Sequence, residues 1–422
     1  MAVTSSNTDV DVVIVGGGAA GIGAARQLAR SGLSIHLVEA SSRVGGRAWT
    51  HEVAGLDLDL GCGWLHSAER NSWSAIATEA GIPLDRSRAA WGTQHRELGF
   101  TSHEQAEAWK NFDDWTKRLA ATPPLGDCAA DALATSEWNA HLRSIVGFIS
   151  GAPPEQLSAA DYVAYDEHST EENWRTRRGY GALIASSLPA GVVLTLANPV
   201  RALSLEPHGV TVTTRAGDLR ARAVILTVST PVLAGDTIRM PAELDPWREA
   251  ARRLPLGRNE KVFLEIVGDA PFESETHVTG NPRDPRTGSY YIRPFGWPVI
   301  EGFLGGDGAA ILIDQGAAAA HAFALDQLCD LFGANVRDKL RPLASTSWSR
   351  MVRIGGSYSH ALPGHAPARA SLARSFDGRV FFAGEATSTT DFSTAHGAHD
   401  SGVRAAMEAT EALSGQTRLS LS

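Results

Sequence analysis

Short apolar runs separated by small and polar residues set the first expectation for this chain. Asp11–Val15 (DVVIV) is a continuous β-branched run with the length of a strand buried on both faces. Gly16 to Gly18 interrupts it. Ala19–Arg30 then reads as a helix that closes at Ser31-Gly32, where the glycine can serve as a C-cap. Leu33–Glu39 (LSIHLVE) returns to strand, so the N-terminal segment reads as one βαβ unit. The stretch from Ser72 to about Arg178 changes character. It reads mostly as helices and carries Trp73, Trp91, Trp109, Trp115, Trp138 and Trp174. Pro123-Pro124 and Pro153-Pro154 mark helix breaks within it. From Val192 the strand pattern resumes as VVLTL, VRALSLE, GVTVTT and RAVILTV, with a hairpin around Pro207-His208-Gly209. Lys261–Val267 (KVFLEIV) alternates strongly and opens a second strand-rich region. Arg379–Gly384 (RVFFAG) is a late buried strand, followed by a helix from about Gly397 to Leu413.

A chain of 422 residues exceeds one ordinary core, so two domains are expected. No repeat or low-complexity linker separates them, and the return of the strand pattern points to interleaving. The expected division is 1–75, 180–256 and 350–422 for one domain, and 76–179 and 257–349 for the other. Hydrophobic residues at 43% and charged residues at 20% are ordinary globular values. The net charge of −9 and the lack of any Lys/Arg block argue against nucleic acid as a partner. Cys62, Cys128 and Cys329 are too few and too widely spaced for a disulfide framework or a zinc site, so a reducing, cytoplasmic setting fits and no metal is expected. The apolar run near the N-terminus lacks a basic segment before it and reads as a strand, not a leader. No stretch reaches the ~18 apolar residues of a membrane span, so no membrane is expected as a partner. The polar tail SGQTRLSLS reads as a frayed end.

The candidate chemistry starts at Gly16-x-Gly18-x-x-Gly21. The motif alone is a weak signal, but here it lies between a strand and a helix. The first glycine allows a tight turn, the second lets a pyrophosphate approach the backbone, and the third lets the helix pack close to the strand. The helix N-terminus supplies free N–H groups and the positive end of a dipole. Glu39 ends the second strand, where an acid receives ribose hydroxyls and favours an unphosphorylated ribose. Arg43-Val44-Gly45-Gly46-Arg47 follows at once, and its two arginines can reach phosphate oxygens. Glu385, just past the late buried strand, suits a polyhydroxy chain such as ribitol. Together these favour FAD over NAD.

On these residues the chain resembles the flavin-containing amine oxidases, the group that includes monoamine and polyamine oxidases. The resembling segments are VVIVGGGAAGIGAARQLARSGLSIHLVEASSRVGGRAWT, DLGCGWLHS (Asp59–Ser67), AVILTVSTPVL with Asn198-Pro199-Val200 before it, EKVFLEI, Trp348 followed by GGSYS, and VFFAGEATS with HGAHDSG. The resemblance implies a mixed α/β fold. A Rossmann-like FAD-binding domain of the glutathione-reductase-like class would be interleaved with a substrate domain built from a sheet flanked by helices. It implies cofactor contacts at Gly16, Gly18, Ala20, Gly21, Glu39, Ala40, Gly46, Arg47, Gly63, Trp64, Val200, Trp348, Gly384, Glu385, Thr394 and Ala395. Lys261 matches the family's lysine that hydrogen-bonds a water against flavin N5. Trp348 and Tyr358 match aromatic positions beside the flavin ring. His66 matches a position near the substrate cavity of some polyamine oxidases, and read alone it serves a structural role equally well.

The departures from the family pattern are as informative. Ser357 stands before Tyr358 where monoamine oxidases carry a cysteine bonded to the flavin, so noncovalent FAD is expected. The second aromatic wall maps to Thr394 or Ala395, with Phe392 as a substitute from another angle. His396 and His399 are candidate polar groups of the cavity. The implied reaction is hydride removal from the amine-bearing carbon to flavin N5, imine hydrolysis, and reoxidation by dioxygen with release of hydrogen peroxide. A flavin desaturase acting on C–C bonds and a non-catalytic binding protein of the same fold are the alternatives. Lys261 with Trp348 argues against the first, and the intact glycine loop against the second. The sequence does not identify the amine. An amino acid would call for a cavity arginine, for which Arg86, Arg88 and Arg96 are candidates. A homodimer is compatible with the chain, and nothing in the sequence fixes the oligomeric state.

Overall fold

A computed structural model describes residues 9–420, and a seven-stranded sheet runs through its centre. Strand β1 (Val10–Val15) pairs in parallel with β2 (Ile35–Val38) on one side and β10 (Asp218–Leu226) on the other. Strand β7 (Val193–Thr195) extends the parallel set beyond β2, and β16 (Val380–Phe382) extends it beyond the last residues of β10. The hairpin of β8 (Val200–Glu206) and β9 (Gly209–Thr214) joins the first half of β10 antiparallel. The strands of one sheet therefore come from three separated parts of the sequence. Both faces of the parallel set are covered, which explains the unbroken apolar runs. On one face Val12, Ile14, Leu37, Ile225 and Phe381 pack against helix α1 (Ala19–Leu28) and the C-terminal helix Ala395–Ser420. On the other, Val13, Val15, Val224 and Leu226 meet Val232, Leu233 and Leu254.

The second sheet is antiparallel, in the order β12 (Thr276–Thr279), β13 (Ser289–Ile292), β14 (Val299–Gly305), β11 (Asn259–Ile266) and β15 (Leu340–Ser345). The two-residue alternation sorts its faces. Val262, Leu264, Val278, Tyr290 and Ile300 pack with Ala320, Ala324 and Leu328 of helix Ala317–Phe332. Lys261, Glu301, Phe303 and Tyr291 face the other way, into a cavity. Two small pairings, β3 (Thr50–Val53) with β4 (Leu56–Asp59) and β5 (Leu65–His66) with β6 (Asn173–Trp174), link the sheets.

The tryptophan-rich stretch supplies helices α2 (Ser72–Glu79), α3 (Ser102–Ala121), α4 (Asn139–Ser150) and α5 (Ala159–His168), and helix α6 (Tyr180–Ser186) follows them. Thr101 and Glu104 form a reciprocal capping box at the start of α3. Trp115, Leu119, Leu142, Val146 and Tyr162 close the layer of α3, α4 and α5.

Three readings of the sequence change. Helix α1 ends at Leu28, with Gly32 in a turn beyond it at φ +77°. The C-terminal helix starts at Ala395 and continues through Ser420, so the polar tail is helical as far as that residue. The leader reading and the last of the tail touch Met1–Thr8 and Leu421–Ser422, which lie outside the described residues. Among the described residues no helix is long and apolar enough to cross a membrane.

Candidate active site

The carboxyl ends of the parallel strands open onto one continuous cavity of about 950 Å³, the place where open α/β sheets take ligands. Its first arm is built from two glycine turns. Gly16 adopts φ +108°, a conformation L side chains rarely hold, and it turns β1 into α1. A Cβ on Gly21 would fall 1.9 Å from the Gly16 carbonyl oxygen, so only glycine lets α1 sit this close to β1. No side chain caps α1, and Gly16, Gly18, Ala19 and Ala20 line the cavity at its N-terminus. Gly21 is behind that wall, in packing. Gly18 bridges to Gly45, bringing the second turn alongside. This cradle of small residues around free helix N–H groups fits a pyrophosphate.

Glu39, at the end of β2, lines the arm with Ala40 and with Val200 at the start of β8. Its carboxylate accepts from the N–H of Gly17 (2.7 Å) and of Ser41 (2.6 Å), which fixes its direction. Of the two expected arginines, only Arg47 reaches the cavity with Gly46. Arg43 is spent on the turn: it donates to the carbonyls of Val44 (3.1 Å) and Gly46 (2.8 Å) and lies over the Trp49 ring. Arg47 donates to the Ser357 carbonyl and pairs with Glu385 at 3.0 Å. Glu385 is buried and also accepts from the N–H and hydroxyl of Ser359 and the N–H of Ser393. Burial raises its carboxyl pKa, but Arg47, Arg369 and these hydrogen bonds outweigh burial and hold it below the usual range. Glu385 thus orders three cavity segments, and a ligand hydroxyl would compete with those donors.

The C-terminal helix points its start at the same cavity. Thr394 accepts from the N–H of Gly397 at 2.9 Å, so its side chain is a helix cap, with Ala395 beside it on the wall. Phe392 supplies no wall: it packs on Tyr165 and beneath the Arg369 guanidinium, outside the main cavity. The substitution of an aromatic wall by Phe392 is therefore overturned. His396 lines the cavity, held by Asn71 and Asp391 at 3.2 Å each. His399 does not. It pairs with Asp400 and packs edge-on against Trp73.

The second arm lies over the antiparallel sheet. Lys261 is buried in β11, with Nζ donating to the Asp59 carbonyl (2.9 Å) and paired with Glu301 of β14 (2.7 Å). Gly63 lines the cavity next to this pair. The Asp59 carboxylate accepts from Thr50 (2.5 Å) and from the N–H groups of Tyr180 (2.9 Å) and Gly181 (3.1 Å). Burial nevertheless pushes it up to about 6, against the pull of Thr50 and Lys261. Burial and Asp59 likewise push the neighbouring Cys62 thiol up to about 12. Trp348 donates its indole N–H to the Leu60 carbonyl at 3.0 Å, and Tyr358 its hydroxyl to the Phe148 carbonyl. The Ser357 hydroxyl meets Asn259 at 2.7 Å. Trp64 packs on Trp91 and Tyr291, in this arm and not the first. His66 stands near the mouth, its Nδ1 2.6 Å from Asn173, with its pKa lowered by burial.

Lys261, Trp348, Tyr358 and His66 thus share one cavity, although they are far apart in sequence. The candidate arginines do not join them. Arg86 covers Trp174, Arg96 pairs with Glu273, and Arg88 is off the wall. Among the described residues Lys261 is the one Lys or Arg lining this arm. Sequence reasoning missed Glu301, Tyr291, Phe303, His141 and His277. Glu301 had a signal, as the lone charge in the apolar strand VIEGFLG. The histidines had none, because a helix and an edge strand meet only through the fold.

A family model described as flavin containing amine oxidoreductase matches residues 19–109 and 88–410. Polyamine oxidase 3 of Oryza sativa subsp. japonica is 26% identical, over 94% of this chain and 88% of that protein. Lysine-specific histone demethylase 1 homolog 2 of the same plant is also 26% identical over 94% of this chain, which spans only 56% of that relative's length. Among solved structures, a redesigned double mutant of putrescine oxidase aligns over 95% of this chain and 99% of its own, with TM-score 0.76 and 19% identity. Cyclohexylamine oxidase from Brevibacterium oxydans IH-35A aligns over 96% and 100%, with TM-score 0.74 and 22% identity. These two share the mixed α/β fold with its parallel sheet. The family match covers residues 19–410, taking in helix α1, the second glycine turn and the lysine-bearing sheet, and on that ground the chain is an enzyme that belongs to the flavin-containing amine oxidoreductase family.

Proposed function

We propose that this chain is an amine oxidase that binds FAD noncovalently and oxidises small amines lacking an α-carboxylate. One observation carries the reading: a single cavity joins the uncapped α1 N-terminus to the Lys261–Glu301 pair. In this reading segments 1–75, 180–256 and 350–422 form the FAD domain, and 76–179 and 257–349 the substrate domain. With FAD bound, the reaction is hydride transfer from the amine-bearing carbon to flavin N5, imine hydrolysis to a carbonyl, and reoxidation by dioxygen with release of hydrogen peroxide.

The chain's own groups have distinct tasks. The α1 N-terminus, Gly46 and Arg47 would hold the pyrophosphate of FAD, and Glu39 its adenosine ribose. The start of the C-terminal helix, at Thr394 and Ala395, would lie toward the pyrimidine end of a bound flavin and favour negative charge there. Glu301 and the Asp59 carbonyl fix Lys261 Nζ in place, where it can hold a water beside N5. Trp348, Tyr358 and Trp64 confine the substrate and exclude bulk water. Ser357 has no thiol to link to flavin. Among the described residues the one lining cation of this arm is already paired, so an α-carboxylate finds no partner there.

An amine panel monitored by anaerobic flavin bleaching tests the reading. Alkyl and arylalkyl amines are expected to bleach the flavin, and L-amino acids are not. A protein bleached by amino acids alone, or by none of the amines, would overturn it.

A further inference from the structure

The second arm runs away from Lys261 across the antiparallel sheet, and its far end has no part in the proposed chemistry. Register fixes its floor. Lys261 on β11 is opposite Phe303 on β14, Phe303 is opposite Ser289 on β13, and Ser289 is opposite Thr279 on edge strand β12. Residues directly opposite one another share a face, and all four line the cavity. Three strand steps of about 4.8 Å put Thr279 roughly 14 Å from Lys261.

Helix α4 supplies a second wall along the same arm. His141, Ile145, Phe148 and Ile149 all line the cavity, and their spacing places them on one helical face. Leu142 and Val146, between them, turn the other way into the core with Trp115. The Phe148 end lies beside the Lys261 row: its ring is 5.9 Å from that of Phe303, and its carbonyl accepts from the Tyr358 hydroxyl. The His141 end is closed by the rings of Phe100 and Trp109, 5.3 and 5.5 Å from the imidazole. Seven residues of helix at about 1.5 Å each separate the two ends by about 10 Å.

Charge is confined to the near end of this arm. Lys261 and Glu301 pair with each other there, and among the described residues no Asp, Glu, Lys or Arg lines the far end. Burial pushes His141 and His277 down to about 4, so both are uncharged near neutral pH. The polar groups of the far end are spent on one another. His277 Nε2 meets the Ser289 hydroxyl at 2.7 Å, Gln94 holds both the N–H and the carbonyl of Thr279, and Gln105 bonds the Phe100 carbonyl and the Gln94 N–H. Along α4 a ligand meets mainly carbon, from Phe148 and Ile149 through Ile145 to the rings of Phe100 and Trp109. An ammonium carried to that end would be buried without a carboxylate, at high cost. We propose that this arm is a gauge for an uncharged, apolar tail of about 10 Å, its length set by Ile145 and His141, so that the substrate is an elongated monoamine and not a diamine or polyamine. The inference deepens the amine-oxidase reading and rests on it.

The test uses the purified flavin-loaded enzyme, a series of n-alkylamines of increasing length and the matching α,ω-diamines, read as kcat/KM near neutral pH. Each added methylene is expected to raise kcat/KM by about threefold, in line with the transfer free energy of a buried methylene. The rise should end where the chain spans the arm, at roughly eight carbons for zigzag bonds of about 1.5 Å, and longer chains should fall off. The diamine of optimal length is expected to fall at least about a hundredfold below the alkylamine, because its second amine must shed a proton held with a pKa near 10. Ile145→Trp fills the arm about one helical turn short of His141 and is expected to move the optimum to shorter chains by about three to five carbons. His141→Ala opens the end and is expected to move it to longer ones. Flavin content of each variant confirms folding. A kcat/KM independent of chain length, a diamine that matches the alkylamine, or an optimum unmoved in the folded variants would each overturn the gauge. Bleaching by alkylamines with no dependence on length sinks this inference alone. Bleaching by no amine sinks the amine-oxidase reading with it.

Discussion

Replacing Gly21 with alanine probes the feature on which the first arm depends. The added Cβ would lie 1.9 Å from the Gly16 oxygen, where ordinary contact begins near 3.4 Å. Helix α1 must therefore retreat by about 1.5 Å, the difference between those distances. It has nowhere to go. On its other side a Cβ at Gly23 would meet the His399 oxygen at 2.5 Å, and one at Gly402 would meet the Ala20 oxygen at 2.0 Å, so the C-terminal helix already touches α1 backbone to backbone. The two helices must shift together, and both point their N-termini into the cavity. Overpacking against side chains costs about 1–3 kcal/mol. Here backbone must yield, so a loss of roughly 3–5 kcal/mol is expected. The assay is released flavin per mole of purified protein together with the urea midpoint. Gly191→Ala serves as the control, because nothing lies within 4 Å of its Cβ position. Gly21→Ala is expected to purify depleted of flavin and with a lower midpoint, and Gly191→Ala to match the parent. Full flavin occupancy with an unchanged midpoint in Gly21→Ala would refute the close-packing argument.

Lys261→Met should keep its flavin while stopped-flow traces show reduction or reoxidation slowed at least about tenfold; unchanged rates would remove Lys261 from the mechanism. Acid or heat denaturation should release all the flavin as free FAD, and yellow colour left on the precipitated chain would contradict the reading of Ser357. Asp59 should leave a signature in stability against pH. Its carboxyl is raised from 3.8 to about 6, so its contribution is present below about pH 4 and lost as pH rises through 6. Two units correspond to about 3 kcal/mol. Urea unfolding of wild type and Asp59→Asn between pH 4 and 7 should show their stability difference shifting by about that amount, and a constant difference would count against the buried carboxyl.

Much of the fold was legible because a parallel strand covered on both faces has an unmistakable pattern. DVVIV and RVFFAG announced β1 and β16 even though they lie at opposite ends of the chain. The glycine turn was legible for a related reason, since its spacing encodes a backbone approach that no other residue permits. Arg43 was misread because a motif gives proximity and not direction. Both arginines flank the turn, but one folds back onto its carbonyls and Trp49. Phe392 failed in the same way, drawn off by Tyr165 and Arg369. The end of the C-terminal helix was misjudged because Gly415, although placed where a C-cap glycine would stand after Leu413, does not interrupt it and the helix runs on to Ser420. Lys261 stood out against its strand, yet its partner Glu301 needed the register of β11 and β14, which two separate stretches of sequence do not contain.

That pairing bears on how a substrate can enter. Among the described residues the second arm holds one ammonium and one carboxylate, Lys261 and Glu301, bonded to each other at 2.7 Å, and in the proposed chemistry they lie beside the reacting carbon. Asp166 is exposed, at the mouth. A substrate entering as an ammonium would be an uncompensated buried charge, and its desolvation is costly. A neutral amine avoids that cost, and it is also the form whose carbon can release hydride. Under the proposed chemistry the low-pH limb of kcat/KM should therefore follow the amine's own pKa and not that of an enzyme group. Amines of similar size but graded basicity should move the inflection in step with their solution pKa values. Glu301→Gln uncouples the pair and leaves the Lys261 ammonium unmatched, so it should weaken cationic amines further while keeping the inflection tied to the substrate. An inflection fixed at one pH across the series, and moved by Glu301→Gln, would instead make Glu301 the group that takes the proton.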